Sequence, residues 1–274
     1  MNFRSAALST VAATLLTLVG WPVLPAAHAA TLCTVVADAT TGKVLEQRGT
    51  CDQRITPAST FKLAISLMGY DSGYLIDEHL PALPFRKGYP DWMASWKSTT
   101  DPTTWIKNSV VWYSQQITRS LGYKRLRKYV TQFGYGNEDV SGDPGKHNGL
   151  TRAWLSSSLK ISPLEQVAFL ENVVNRRLPV SSKAYAMTAR ITSLGVLPNG
   201  WEVHGKTGTA SAVLDSGVRD EDHTYGWFVG WASRGDRICV FTHLLQVDNT
   251  QAVGAGVRAR DEFLEQLPAL LDSL

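Results

Sequence analysis

Thr56-Pro57-Ala58-Ser59-Thr60-Phe61-Lys62, followed by Leu63-Ala64-Ile65-Ser66-Leu67-Met68, is the stretch in which fold and chemistry can be read together. Thr56 suits an N-cap, and Pro57 suits the first helical position, where a missing N–H is not needed. Ser59 then falls in the first helical turn, among N–H groups without an intrahelical acceptor and at the positive end of the helix dipole. Its hydroxyl and its own N–H can face one incoming carbonyl, as a nucleophile and an oxyanion donor must. Lys62, three residues on, shares that face and reaches the hydroxyl. The residues after it are apolar nearly all round, as in a helix at the centre of a protein. An amine buried there must be paired, modified or neutral. Ser-x-x-Lys alone also arises by chance, so the decision rests on what lies downstream.

With 274 residues, 44% hydrophobic and nine Trp, the chain can bury a sizeable core, and disordered or fibrous classes are excluded. The net charge of +3 is small. Lys124-Arg125-Arg127-Lys128 is the one basic run, and it alternates with Tyr123, Leu126, Tyr129, Val130 and Phe133, which reads as the wet face of an amphipathic helix and not as a nucleic-acid patch. Residues 1–30 read as an export signal: Arg4, a weakly apolar run over 6–19, and the cleavage pattern Ala27-His28-Ala29. The run is too short and too poor in Leu and Ile for a membrane span. The mature protein is expected to start near Ala30 or Thr31, in the periplasm, a non-cleaved anchor being the alternative.

Three cysteines in an exported chain suggest one disulfide and one free thiol. Cys33-Thr34-Val35-Val36-Ala37-Asp38 and Lys43-Val44-Leu45-Glu46-Gln47-Arg48-Gly49-Thr50-Cys51 read as two strands around the turn Thr40-Thr41-Gly42-Lys43. Cys33 and Cys51 are each nine residues from Gly42, so an antiparallel hairpin brings them opposite one another. Cys239 reads as a small apolar filler in a buried strand.

A loop-rich stretch over 81–102, with Trp92 and Trp96, is placed near the mouth of the site as a packed connection or a lid. Asp101-Pro102 opens a helical region that runs to about 121, with a break expected near Ser109. Further helices are expected over about 123–133, from the capping box Ser162-Pro163-Leu164-Glu165 to about 175, over about 182–193, and over about 256–271. Strand periodicity appears over 201–209, 225–231 and 237–246. Strands at both ends and helices in the middle predict an α+β fold, an antiparallel sheet flanked by helices with an inserted helical lobe. We read residues 31–274 as one catalytic domain, with an α/β lobe over about 31–72 and 196–274 and a helical lobe over about 73–195. The site is expected in the cleft between them.

Lys206-Thr207-Gly208 on a strand supplies a cation, a hydroxyl and a Gly where a substrate backbone comes close. Together with Ser-x-x-Lys it matches the template of serine β-lactamases and penicillin-binding proteins. Pro57-Ala58-Ser59-Thr60-Phe61-Lys62, Ser109-Val110-Val111, Tyr135-Gly136-Asn137, Trp154-Leu155 and Lys206-Thr207-Gly208 occur in that order, and the sequence resembles class D (OXA-type) serine β-lactamases over essentially the whole mature chain.

The resemblance implies Ser59 as nucleophile, Lys62 as an N-carboxylated base, and Ser109 as proton shuttle to the leaving nitrogen. Val111, Trp154 and Leu155 would wall Lys62, with the Trp154 indole N–H donating to the carbamate. Lys206 and Thr207 would hold the substrate carboxylate together with an Arg of the last helix, for which Arg260 fits best and Arg258 second. The Ser59 and Thr209 N–H groups would form the oxyanion hole. Many class D enzymes carry an aromatic at the position of Thr209, so the side chain lining the groove differs here. The resemblance implies β-lactam substrates, no cofactor beyond CO2 or bicarbonate for Lys62, no metal, no protein or nucleic-acid partner, and a monomer or homodimer.

Tyr135-Gly136-Asn137 is equally readable as a helix-terminating turn. The His residues at 79, 147, 204, 223 and 243 lack metal-ligand spacing. Glu171-Asn172-Val173-Val174-Asn175 resembles a class A deacylation motif but sits inside a helix, and Ser-Asp-Asn is missing. The competing readings are a β-lactam receptor that stays acylated and a penicillin-binding transpeptidase or carboxypeptidase.

Overall fold

The computed structural model describes residues 1, 29–213, 219–248 and 254–274, so the expected export signal lies almost wholly outside the described residues. Six antiparallel strands form one sheet in the order β2-β1-β6-β5-β4-β3. They are β1 Ala29–Asp38, β2 Val44–Gly49, β3 Ser193–Val196, β4 Glu202–Val213, β5 Arg219–Arg234 and β6 Arg237–Asp248. The helices are α1 Lys62–Asp71, α2 Pro102–Lys107, α3 Val111–Gln132, α4 Gly149–Arg152, α5 Pro163–Val174, α6 Ser182–Thr192 and α7 Ala255–Ser273. This is the expected α+β arrangement, with strands from both chain ends and helices from the middle.

Both faces of the sheet are covered, which is why its inner strands read as nearly continuous apolar runs. Along β6 the period of two sends Phe241 and Leu245 to the α7 face, with Phe228, Phe263 and Leu267, while Val240 and Leu244 join the larger core under α1, α3 and α5. Cys239 is free and buried in the α7-side core, as expected. Cys33 and Cys51 are bonded, with Cα atoms 5.2 Å apart. The register differs in detail from the expectation: Cys33 faces Gly49, the ladder shifts between Val36 and Ala37, and Cys51 lies just past β2.

The break near Ser109 is present. Asp101 caps α2 by accepting from Thr104 N at 2.7 Å, α2 stops at Lys107, and Ser109 takes φ +55° before α3 starts. The separate helix expected over about 123–133 is present: α3 is interrupted by a kink at Gly122, whose φ of 73° and ψ of 162° are non-helical, so 111–121 and 123–132 are two helices in series. The kink keeps Leu126 and Val130 buried and Lys124, Arg125, Arg127 and Lys128 exposed, the amphipathic face read from the sequence. The capping box Ser162–Glu165 forms as expected and opens α5. The sequence pattern predicts no strand over 193–196, four residues being too few to show an alternation. There β3 forms a hairpin with β4 across 197–201, where Gly200 N donates to the Leu197 carbonyl at 2.9 Å, and β4 and β5 run past their expected ends.

Candidate active site

The nucleophile stretch departs from the helix read in the sequence. Ala58–Phe61 is a 3₁₀ turn that leads into α1 at Lys62, and Pro57 stands at the cap position in helical conformation. Thr56 caps nothing. Its hydroxyl donates to the Trp154 carbonyl at 2.9 Å and accepts from Ser156 N at 3.1 Å, while Trp227 Nε1 donates to the Thr56 carbonyl at 3.0 Å. The threonine therefore fastens the turn to the Trp154 segment and to β5. Ala58 takes φ +50°, a left-handed conformation that an Ala adopts only under constraint. Thr60 supplies part of it: its hydroxyl donates to the Pro57 carbonyl at 2.7 Å and accepts from Gln166 Nε2 at 2.9 Å.

Lys62 is fully buried, and its Nζ lies 2.9 Å from Ser59 Oγ. Burial pushes the amine well below its ordinary value, and the charge on Lys206 pushes the same way. Neutral, it can accept a proton as well as donate one. Phe61 packs against Trp154 at 5.7 Å and Tyr135 at 5.0 Å between ring centroids, and Val111, Trp154 and Leu155 belong to the same buried core. Trp154 Nε1 is buried and has no acceptor among the described residues. A bare indole N–H in a dry core costs about 1–3 kcal/mol, so it marks a place built for an acceptor.

Ser109 sits in the α2–α3 junction, half-buried and left-handed. The junction is held from behind, since Trp96 Nε1 donates to the Asn108 carbonyl at 2.8 Å and Val110 N to the Trp105 carbonyl at 3.1 Å. Trp96 itself is buried within the 81–102 stretch, whereas Trp92 stays exposed.

Strand β4 lies directly against the nucleophile turn. A Cβ at Gly208 would stand 2.9 Å from the Pro57 carbonyl oxygen and 3.1 Å from Thr60 Cγ2, so only Gly fits there. That approach sets Lys206 and Thr207 beside Ser59 and Lys62. Lys206 is buried, its Nζ donates to the Thr207 carbonyl at 3.1 Å and hydroxyl at 3.2 Å, and burial followed by the Arg260 charge pushes its amine down to about 7. Thr209 is exposed, and its hydroxyl accepts from Gly256 N at 2.9 Å, tying β4 to the start of α7. Arg260 lines a cavity together with Lys206 and Thr207. Arg258, which donates to Glu262 at 2.6 Å, does not line it. Among the described residues no group of three or more His, Cys, Asp or Glu side chains could hold a metal ion, and no helix is long and apolar enough to cross a membrane.

Residues 32–267 match the penicillin-binding protein transpeptidase domain family. The chain is 43% identical over 240 residues to beta-lactamase OXA-9 of Klebsiella pneumoniae, covering 87% of this chain and 88% of the relative. It superposes on the crystal structure of the class D β-lactamase OXA-427 with a TM-score of 0.84 and 48% identity, over 88% of this chain and 98% of that one. The chain belongs to the class D β-lactamase family. It is also similar, at 27% identity and a TM-score of 0.73, to the C-terminal domain of the Bacillus licheniformis BlaR penicillin-receptor, over 89% of this chain and 90% of that one.

In this class D enzyme Tyr135-Gly136-Asn137 forms a tie between two segments. Asn137 N donates to the Lys160 carbonyl at 2.9 Å, Lys160 N to Asn137 Oδ1 at 2.9 Å, and a Cβ at Gly136 would stand 2.0 Å from the Lys160 oxygen. Glu171 lies on α5 beside Gly42 in the β1–β2 turn, in keeping with the rejection of a class A role. Sequence reasoning missed the part of Thr56, the bracing of the Ser109 junction by Trp96, and the contribution of Lys107 and Arg190 to the cavity. Each depends on partners distant in the chain, and none carries a local signal.

Proposed function

We propose that this enzyme hydrolyses β-lactam antibiotics through an acyl-enzyme on Ser59, with Lys62 as the base for acylation and deacylation. The observation that carries the reading is the 2.9 Å contact between Ser59 Oγ and a fully buried Lys62 amine, which burial pushes well below its ordinary value. Ser59 Oγ attacks the ring carbonyl and gives its proton to the Lys62 side. The C–N bond of the four-membered ring breaks, and the nitrogen takes a proton by way of Ser109. Water then cleaves the Ser59 ester and releases the ring-opened acid. The N–H groups of Ser59 and Thr209 receive the oxyanion. Lys206, Thr207 and Arg260 take the ring carboxylate, and Gly208 admits the substrate backbone.

The unpartnered Trp154 N–H and a near-neutral Lys62 amine fit a carbamate formed from CO2 on Nζ with loss of one proton. Such a group supplies carboxylate oxygens that accept a proton. Val111, Trp154 and Leu155 keep bulk water from Lys62. We also infer export through residues 1–30 to the periplasm, where β-lactams are met.

A second reading, a receptor that stays acylated, is favoured by the likeness to the penicillin-receptor domain. The test is incubation of the protein beginning at residue 31 with a penicillin, following turnover and intact mass together. Steady hydrolysis with one transient adduct, mapped to the Ser59 peptide and absent in Ser59→Ala, is expected. A permanent adduct without turnover supports the receptor, and an adduct that survives Ser59→Ala overturns both.

A further inference from the structure

The cavity beside Lys206 carries two basic side chains, Lys107 and Arg190, beyond the Lys206 and Arg260 assigned to one ring carboxylate. It has a volume of about 390 Å³, within the range of small-ligand sites, and four cations line it: Lys107 at the end of α2, Arg190 on α6, Lys206 on β4 and Arg260 on α7. No carboxylate lines it. Arg190 pairs with Glu78 at 2.7 Å and Arg260 with Asp261 at 2.7 Å, while Lys107 makes no ion pair among the described residues. The lining hydroxyls of Thr103 and Thr192 already donate to the Glu78 and Thr188 carbonyls, at 2.9 and 2.7 Å, while those of Ser193 and Thr207 stand beside the cations as further donors. Burial, and after it the Arg260 charge, depresses the Lys206 amine.

The position of the cavity is equally informative. Strand β3 pairs with β4 only as far as His204, so the edge of β4 at Gly205, Lys206 and Thr207 is open to the cavity. Ser59, Gly208 and Thr209 are outside its lining. The space therefore begins at Lys206-Thr207 and extends away from the nucleophile, toward α2 and α6. A ring carboxylate seated on Lys206, Thr207 and Arg260 leaves Lys107 and Arg190 on the opposite wall.

We propose that this cavity is a second anion subsite, which takes a carboxylate, sulfonate or phosphate carried on the substituent next to the ring carboxylate of a β-lactam. The subsite rests on the reading that Lys206, Thr207 and Arg260 hold the ring carboxylate. It makes the enzyme selective for doubly anionic substrates, because a charge-assisted contact in a partly enclosed site outweighs a neutral one.

The test is binding of a matched pair of β-lactams, alike in ring and acylamino group, one with a neutral substituent and one with the same substituent ending in a carboxylate. Titration into Ser59→Ala protein separates binding from turnover. The expected result is tighter binding of the anionic member, a preference that falls about tenfold in Lys107→Gln and further in Lys107→Gln/Arg190→Gln. Lys107→Gln breaks no ion pair among the described residues and removes only the cation in the last turn of α2. Equal affinity for the pair, or a preference untouched by both variants, overturns the subsite. Inorganic phosphate that binds in a Lys107-dependent way, without any preference within the pair, assigns the cavity to a free anion and overturns it as well. Turnover by the unmutated enzyme tests the parent reading apart from this: a protein that binds the pair but hydrolyses neither defeats the Ser59 chemistry, and the binding ratio still decides the subsite.

Discussion

Lys62 Nζ lies 2.9 Å from Ser59 Oγ across less than one helical turn, with the amine fully buried and the hydroxyl half-exposed. This asymmetry separates the two groups chemically. The oxygen is open to an incoming molecule, while the nitrogen stays in a dry environment that disfavours its charge. Lys206 adds a second cation nearby and depresses the Lys62 amine further. The proposed base and the proposed nucleophile are thus set by less than one turn of backbone and by the packing around them.

Lys62→Ala removes that base and leaves the Ser59 hydroxyl in place. Acylation is expected to slow by about 10²–10⁴, the usual loss for a positioned base, and any acyl-enzyme that forms is expected to persist. Rapid-mixing mass spectrometry with a penicillin measures both steps. Normal acylation in this variant would remove Lys62 from the mechanism.

Lys206 gives the pH dependence a definite sign. Its amine is pushed down to about 7, so in the free enzyme the ammonium is lost as pH rises through that value. On the role proposed for Lys206, the contact to the substrate carboxylate would go with it, and kcat/KM is expected to fall on the alkaline side mainly through KM. Lys206→Arg, with a guanidinium charged at all working pH values, should flatten this limb. By linkage, the unfolded chain holds this proton up to its ordinary value of 10.5 while the folded chain releases it near 7, so this group makes stability rise with pH across that window. An alkaline limb that is absent up to pH about 9, where a group of pKa about 7 is fully deprotonated, rules out the assignment.

Arg260→Ala is expected to raise KM about tenfold or more with little change in kcat, as for a lost charge-assisted hydrogen bond. Arg258 donates to Glu262 and lies outside the cavity lining, so Arg258→Ala should change KM less. The reverse order in steady-state kinetics would transfer the carboxylate role to Arg258.

The Cys33–Cys51 bridge closes a separation of 18 residues, for which the chain-entropy model gives about 3 kcal/mol. Beyond the bridge, the Cys51 carbonyl accepts from Leu164 N at 3.1 Å and Arg54 pairs with Glu165, so the hairpin is anchored to α5. Cys33→Ser/Cys51→Ser should therefore lower the urea midpoint without abolishing the fold. Non-reducing peptide mapping should leave Cys239 as the free thiol; Cys33 recovered as an alkylated thiol contradicts the bridge.

What was legible in the chain was local. Ser59 and Lys62 are three apart, Ser162 and Glu165 form a capping box at the same spacing, and the interruption at Ser109 follows from weak helix formers beside β-branched neighbours. Thr56 shows the limit. Its local signal is that of an N-cap, and a carbonyl 98 residues away takes the hydroxyl instead. Tertiary hydrogen bonds outcompete local ones whenever burial leaves a carbonyl in need of a donor. The same holds for Gly208, whose necessity is set by the Pro57 carbonyl across the site, and for the cavity cations, which come from three helices and a strand.

Trp154 is the residue through which the proposed state of Lys62 can be tested. The indole N–H is buried without an acceptor among the described residues, and burial pushes the Lys62 amine well below its ordinary value, so a carboxylate on Nζ would answer both. Trp154→Phe keeps an aromatic ring beside Phe61 and removes only the N–H and part of the volume. If the N–H stabilises a carbamate, this variant should retain a reactive Ser59 but need added bicarbonate, with half-maximal activity at a bicarbonate concentration about tenfold or more above that of the parent enzyme. Acid should inactivate the parent by driving off CO2, and bicarbonate at neutral pH should restore it. Two measurements run together: turnover against bicarbonate for both proteins, and ¹³C-bicarbonate NMR on the parent. Efficient turnover with no carbamate signal would show that the Lys62 amine itself is the base. A Trp154→Phe enzyme with unchanged bicarbonate demand would show that the indole N–H has another partner in the working enzyme.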